Sequence, residues 1–318
     1  MSAIQQRTLS VNGIHLSVHS AGPAQGQPIW LLHGFPECWY SWRLQIAPLV
    51  AAGYQVWLPE MRGYGASSAP QATDAYDLLT LGADIQAAMD VLGHRKACVV
   101  GHDWGAPVAW HLGLLEPDRV KAVVAMSVPF AGRPRQPVTE SLRAHFKDRF
   151  HYILYFQVPG VAEAELDADI DETLRRFMQG CDALILNDKP ATARLFDGIH
   201  CPQGLPAWCS LEDFDVYRHT FARHGFHGAL NWYRNFERNW ERTAPWADAN
   251  IEQPTLFLLG DRDPVGVLEA HTLLRMPLRV PKLEQHIIKN CGHWLQSEQP
   301  RAVNQHLLGF LERHYPTR

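Results

Sequence analysis

Gly101-His102-Asp103-Trp104-Gly105 follows the apolar run Ala97-Cys98-Val99-Val100 and opens a helix-spaced apolar stretch over residues 104–115. A buried strand, a glycine-flanked turn and a helix, in that order, make a sharp elbow that raises its central residue above the end of the strand. The glycines have a steric purpose, since strand and helix approach too closely there for a Cβ. Serine usually sits at the centre of such an elbow and forms acyl esters. Here the centre is Asp103. A carboxylate in that position can attack an sp³ carbon carrying a leaving group and become the ester itself. Aspartate is also a good helix N-cap, so the residues around it have to decide between the two roles.

The rest of the chain supplies a setting for that elbow. Short, wholly apolar runs at residues 29–32, 56–58, 97–100 and 123–126 each lead into a turn, and helix-spaced apolar residues occupy 42–52, 78–92 and 104–115. Strands apolar on both faces, alternating with helices, specify a mostly parallel α/β sheet. Ahead of them, residues 7–20 alternate about Asn12-Gly13, a two-residue hairpin signal. The rhythm stops after Pro129. Residues 133–246 are rich in aromatic and charged side chains, with helix-like stretches at 172–178 and 228–240 and no strand alternation. Strand runs resume at 255–259 and 286–288, and a last helix is expected over 301–314. The predicted organisation is an α/β core in two parts, 1–132 and 247–318, with a helical cap over 133–246. Such a cap would cover the carboxyl ends of the strands, where open α/β sheets bind ligands.

Composition narrows the class. A chain of 318 residues, 46% hydrophobic and 19% charged, can bury a large core as one domain with an insertion or as two domains. Its formal net charge of −4 shows no basic excess, which argues against nucleic acid or an anionic membrane as a partner. No apolar run approaches the roughly 20 residues that span a bilayer. The first seven residues lack the apolar core of a signal peptide, so a cytoplasmic location is expected. Cys38, Cys98, Cys181, Cys201, Cys209 and Cys291 are scattered without a C-x-x-C pair and read as reduced thiols. His219, His224 and His227 lie close together, but no carboxylate or cysteine falls at supporting spacing, so no metal site is expected.

Two later segments supply partners for Asp103. The run at 255–259 ends at Gly260-Asp261-Arg262-Asp263-Pro264, and the run at 286–288 leads to Asn290-Cys291-Gly292-His293-Trp294. Nucleophile, acid and histidine then follow in the chain order that this elbow calls for. His293 needs a carboxylate on its second nitrogen to fix its tautomer, and spacing leaves Asp261 and Asp263 both open. After the run at 29–32 comes His33-Gly34-Phe35-Pro36. The backbone N–H of Phe35 and that of Trp104 are the expected oxyanion donors. Pro36 cannot donate, and its preceding bond is a candidate for the cis form. His33 is expected to hold the loop.

Taken together, the motifs resemble those of the soluble-type epoxide hydrolases of the α/β-hydrolase fold, over nearly the whole chain. The resemblance rests on His33-Gly34-Phe35-Pro36-Glu37, Trp39-Tyr40-Ser41-Trp42, Gly63-Tyr64-Gly65-Ala66-Ser67-Ser68, the elbow itself and Cys291-Gly292-His293-Trp294. Within the expected cap it rests on Tyr155-Phe156-Gln157-Val158-Pro159-Gly160 and Asn231-Trp232-Tyr233-Arg234-Asn235, which are the more specific motifs. The resemblance implies Asp103 as nucleophile, His293 as the base that activates water, and Asp263 as the orienting acid, because the family pattern reads Gly-x-x-Asp from Gly260. It implies two cap tyrosines on the epoxide oxygen, Tyr233 and Tyr152, and not the more conspicuous Tyr155. Ile153 stands where some relatives carry glutamine, which removes one polar pocket contact. The implied reaction converts a small hydrophobic epoxide and water to a vicinal diol, with no cofactor and no metal. Phe35, Trp104, Phe156 and Trp294 are placed by this reading to line an apolar pocket.

Two other functions share parts of the pattern. A haloalkane dehalogenase uses the same Asp/His/Asp chemistry, and Trp104 would serve as one halide donor. Some dehalogenases take a second donor from an asparagine after His-Gly, where this chain has Phe35. A haloacid dehalogenase would want arginines behind the nucleophile, and Ala106-Pro107-Val108-Ala109-Trp110 supplies none. The third reading is a non-catalytic ligand-binding member of the fold.

Overall fold

The structure is a computed structural model and describes residues 4–186 and 188–317. The expectation that the chain starts without a leader falls partly on residues 1–3, outside those described. The strands are β1 (Gln5–Val11), β2 (Ile14–Ala21), β3 (Pro28–Leu32), β4 (Gln55–Pro59), β5 (Ala97–His102), β6 (Val120–Met126), β7 (Thr255–Gly260) and β8 (Leu283–Ile288). They form one sheet in the order β1-β2-β4-β3-β5-β6-β7-β8. The β1–β2 and β2–β4 pairs are antiparallel and every other pair is parallel. The hairpin turns at Asn12 (φ 45°) and Gly13 (φ 76°), the pair of left-handed residues that a tight two-residue turn requires.

Side-chain alternation divides each central strand between two cores. Trp30 and Leu32 of β3 join one buried cluster, and Ile29 and Leu31 the other. Val99 and Phe257 fall with the first, while Cys98, Val100, Leu256 and Leu258 fall with the second. Both faces are therefore covered by helices, as apolar parallel strands demand. α1 (Arg43–Ala51), α2 (Leu78–Val91) and α3 (Gly105–Leu115) connect the first strands. Leu81, Ile85, Ala88 and Met89 of α2 face the first core at helical spacing.

Between β6 and β7 the named α-helices, joined by loops, are α4 (Val138–Phe146), α5 (Tyr152–Tyr155), α6 (Val161–Leu166), α7 (Ile170–Leu186), α8 (Leu211–Ala222), α9 (His227–Tyr233) and α10 (Phe236–Arg242). After β7 come α11 (Pro264–Leu268) and α12 (Ala270–Arg275), and after β8 come α13 (Leu295–Glu298) and α14 (Pro300–His314). Val303, Leu307, Phe310 and Leu311 of α14 close the second core. The stretch read as one helix over 228–240 is two. Asn235 leaves the helical conformation, and its amide Nδ2 donates to the carbonyls of Asn231 (2.8 Å) and Thr73 (2.7 Å), which interrupts the ladder. Among the described residues no helix is long and apolar enough to cross a membrane.

Buried charges join the inserted helices to the core. Asp77 caps α2 through the Thr80 N–H at 3.1 Å and also receives Arg238 (3.0 Å) and Arg242 (2.6 Å) from α10. Arg62 is buried against Asp84 of α2 at 2.8 and 2.6 Å, and its carbonyl accepts the Trp232 indole N–H of α9 at 3.2 Å. Asn12 of the hairpin adds a third bond to Asp84 at 2.7 Å. Removing one partner of such a pair strands the other charge away from water. Asp84→Ala is expected to cost about 3–5 kcal/mol, read as a lowered urea midpoint of unfolding with an unchanged slope.

Candidate active site

Five parallel strands end on the same side, and the segment after each contributes to one cluster. β3 leads to His33 and Phe35, β5 to Asp103, β6 to Ser127, β7 to Asp263 and β8 to His293. Asp103 has φ 47°, a left-handed conformation that costs a residue with a Cβ about 1–3 kcal/mol. Its surroundings impose that conformation. A Cβ on Gly101 would strike the Gly105 carbonyl, and one on Gly34 would strike the Asp103 carboxylate.

His293 stands between two carboxylates. Its Nε2 is 3.7 Å from Asp103 Oδ2, and its Nδ1 is 3.1 Å from Asp263 Oδ1. Asp263 is held on two further sides, by Ser127 Oγ donating to Oδ2 at 2.6 Å and by the Val265 N–H donating to Oδ1 at 3.0 Å. Asp261 is turned away: its Oδ1 accepts the Cys291 N–H at 3.1 Å and its side chain is 26% exposed. Of the two acids left open by spacing, Asp263 is the one on the histidine.

The Phe35 N–H donates to Asp103 Oδ1 at 2.7 Å, and the Trp104 N–H, next along the chain, also favours the charged form of that carboxyl group. The Phe35–Pro36 bond is cis. His33 is fully buried, with Nδ1–H donating to the Gly34 carbonyl at 3.0 Å and Nε2 accepting the Met61 N–H at 3.0 Å. Burial holds its pKa at about 4, so it is neutral and both nitrogens are engaged by the loop.

Two cavities meet at Asp103. The larger, about 640 Å³, has Trp104, Leu142, Phe146, Phe236 and Trp246 in its walls. The smaller, about 30 Å³, is enclosed by Phe35, Phe177, Cys181, Leu184, His293 and Trp294. Asp103, Tyr152, Tyr233 and Val265 line both. The two tyrosine rings meet edge to face with centroids 6.0 Å apart. Tyr155 instead donates to Glu165 at 2.6 Å. Ile153 borders the larger cavity. Phe156, expected in the pocket, lines neither cavity. It is fully buried and packs edge-on against Tyr152 and Tyr233, with centroids at 5.7 and 5.0 Å. Four residues after Tyr152, it shares that ring's helix face but lies behind it, so the tyrosines separate it from the opening.

Electrostatics follow from this burial. Tyr152 and Tyr233 are both pushed well above 10, by burial first and by the Asp103 charge second, so their hydroxyls stay protonated and can donate. Burial raises the Asp103 carboxyl, and His293, His102 and the two N–H donors oppose the rise. For Asp263 burial pushes upward, but His293 and Ser127 outweigh it and leave the carboxyl below its ordinary range. Burial lowers His293, while Asp263 and then Asp103 overcome that and hold it at about 9.

Sequence reasoning assigned no role to several residues of this cluster. Ser127, at φ 73°, is fully buried and lies 3.1 Å from His293 Nδ1 as well as on Asp263. Its signal was a polar residue directly after an apolar strand run. His102, beside the nucleophile position, donates from Nε2 to the His293 carbonyl at 2.8 Å, and its Nδ1 is 2.8 Å from Glu37. Glu37 also accepts the Gly34 N–H at 2.8 Å and the Gln296 amide at 2.7 Å. His102 and Glu37 were visible as polar residues inside otherwise apolar motifs. In the His219, His224 and His227 stretch, His227 is engaged by Glu163 at 3.1 Å and by Asn231 at 3.1 Å. Among the described residues no group of three or more His, Cys, Asp or Glu could hold a metal ion.

A mostly parallel sheet with a helical insertion and an aspartate at the elbow defines an enzyme of the α/β-hydrolase fold, and residues 27–300 match the family described as alpha/beta hydrolase fold. The chain is 45% identical to Epoxide hydrolase A of Mycobacterium tuberculosis, with 98% of each chain covered. It is 39% identical to Epoxide hydrolase 3 of Siraitia grosvenorii over 98% of this chain and all of that one. Its structure is similar to that of Epoxide Hydrolase A from Mycobacterium thermoresistibile, with TM-score 0.92, 44% identity and 98% of each chain covered. An epoxide hydrolase from an endophytic Streptomyces also matches at TM-score 0.92, with 40% identity over 97% of this chain and 95% of that one. The chain belongs to the epoxide hydrolases of the α/β-hydrolase fold.

The His293 pKa makes stability depend on pH. A histidine whose pKa rises from 6.5 to about 9 on folding favours the folded state while it is protonated. That contribution is fully present below about pH 6.5 and is lost as pH rises through about 9. Between pH 6 and pH 9.5 the unfolding free energy of wild type is expected to fall relative to that of His293→Gln by up to about 3 kcal/mol, as measured by urea unfolding of both at the two pH values.

Proposed function

We propose that the protein hydrolyses small hydrophobic epoxides to vicinal diols through a covalent ester on Asp103. The observation that carries the reading is the surroundings of that carboxyl group. A histidine paired to a second carboxylate stands 3.7 Å away on one side, and two protonated tyrosines share the cavity on the other. In the first step Asp103 Oδ2 attacks a ring carbon and the carbon–oxygen bond breaks. The departing oxygen keeps the electron pair and takes a proton from Tyr152 or Tyr233. The His293 imidazolium returns a proton to that tyrosine. Alkylation also removes the Asp103 charge, one of the causes holding the His293 pKa up, so the histidine is left neutral and able to act as a base.

In the second step His293, oriented by Asp263, takes a proton from water as the water attacks the Asp103 ester carbonyl. The Phe35 and Trp104 N–H groups stabilise the oxyanion. Collapse of that intermediate expels the diol oxygen, which takes its proton from His293, and the Asp103 proton passes back to the histidine. The water oxygen remains on Asp103 and the former carboxylate oxygen leaves in the diol. No cofactor or metal enters this sequence. The cap is proposed to span 133–246, between core segments 1–132 and 247–318, supported by the succession of helices and loops, with no named strand, between β6 and β7. A cytoplasmic location is in keeping with six free thiols, five of them buried.

Two experiments test the scheme. A single turnover in ¹⁸O-water with enzyme in excess is expected to label Asp103 and give unlabelled first-turnover diol; label entering that diol directly overturns the covalent route. Tyr152→Phe and Tyr233→Phe are each expected to slow formation of the alkyl-enzyme by about 10²-fold or more. Rapid quenching and mass analysis of the intact protein reads that rate, and normal alkylation in the double variant would remove the tyrosines from the mechanism.

A further inference from the structure

The two cavities are very unequal, and the groups that would bind an epoxide ring form the partition between them. Asp103, Tyr152, Tyr233 and Val265 border both spaces. A ring whose oxygen meets the tyrosine hydroxyls and whose carbon meets Asp103 lies at that partition, one ring carbon toward each chamber. The larger chamber, about 640 Å³, is of a size that encloses an extended organic group. The smaller, about 30 Å³, has room for a water molecule or a methyl group.

The small chamber is also firmly walled. Phe177 lies before and Cys181 and Leu184 after a kink in α7 at Gly180 (φ −120°, ψ 21°), and all three line the small chamber. All three side chains are buried, as is Leu195 opposite them. Phe177 is wedged edge-on against Phe35 at 5.3 Å and against Phe196 at 6.4 Å. His293 borders the small chamber and is absent from the walls of the large one. Water activated by His293 therefore has to stand in the small chamber, and a substituent placed there would displace it.

We propose that this enzyme is specific for epoxides substituted on one ring carbon only: a bulky apolar group enters the large chamber, while the unsubstituted carbon faces the small chamber that holds the hydrolytic water. The proposal rests on the epoxide hydrolase reading above and adds the substrate class. Cys181, Leu184 and Phe177 become its specificity-determining residues, acting by exclusion. The same wall serves the second step, since it reserves the space beside His293 for water.

The test compares kcat/KM for styrene oxide, with one phenyl group, and trans-stilbene oxide, with a phenyl group on each ring carbon. Wild-type enzyme is expected to favour styrene oxide by at least about 100-fold, because an incompressible wall rejects a ring more strongly than an apolar pocket rewards one. Leu184→Ala enlarges the small chamber and should reduce that ratio by at least about tenfold. Cys181→Leu fills it and should make the alkyl-enzyme from styrene oxide accumulate, read by intact-protein mass after rapid quenching. Comparable wild-type turnover of the two epoxides overturns the proposal and leaves the epoxide hydrolase reading intact. A ratio unmoved in a folded Leu184→Ala enzyme overturns it as well. Absence of diol from both substrates would overturn the proposal together with the reading beneath it.

Discussion

The structure depends on one close approach, between the end of β5 and the start of α3. Gly101 lies so near the Gly105 carbonyl that no side chain fits, and Asp103 between them takes φ 47°. The strain is sustained because both flanking elements are buried: β5 is buried along its whole length, and α3 packs against it and β6. The reward is geometrical. A residue held this way at a strand terminus projects its side chain clear of the backbone. The loop after β3 then comes close enough to donate the Phe35 N–H at 2.7 Å. Gly34 makes that approach possible, since any side chain there would occupy the place of the carboxylate.

Once Asp103 is fixed, the charges around it become interdependent. Burial alone would drive the Asp103 carboxyl and the His293 imidazole toward their neutral forms. Each is kept near the other's charge, and Asp263 tips the balance toward the imidazolium. Asp263 can do so because Ser127 and the N–H at the start of α11 hold its own charge. In the proposed reaction the nucleophile's charge vanishes in the first step, which weakens the support for the imidazolium when a neutral base is next needed. One carboxylate on each nitrogen thus gives the histidine two states without any movement of the ring.

The parts of this arrangement legible in the sequence were those with local causes. The central strands are apolar at both parities because both faces are covered, and the Asn12-Gly13 turn follows from backbone sterics. Asp103 and His293 announce themselves through flanking glycines. Choosing Asp263 over Asp261 was beyond spacing, since the two differ in which way a short loop turns its side chains. Ser127 carried only a faint signal, because its contribution depends on β7 and β8 lying beside β6. Phe156 was misplaced for a related reason: an aromatic helix turn reveals a face, but not which of two rings on that face stands in front. The break between α9 and α10 came from an Asn235 side chain reaching Thr73, a contact that periodicity cannot see.

The inserted helices present a further requirement. Tyr152 and Tyr233 sit on different helices, α5 and α9, yet both line the cavities that meet at Asp103, a carboxylate borne by the sheet. Phe35 links these levels. Its backbone N–H holds Asp103, while its ring meets Tyr233 at 5.4 Å, Phe156 at 6.0 Å, Phe177 at 5.3 Å and Phe226 at 6.1 Å, all near edge-on. An asparagine there could offer the same backbone donor but not the ring around which α7, α9 and the turn after α5 assemble. The phenyl group that disfavours a halide site also packs the inserted helices on the core, so one residue touches both the Asp103 carboxylate, through its N–H, and the Tyr233 ring, through its own.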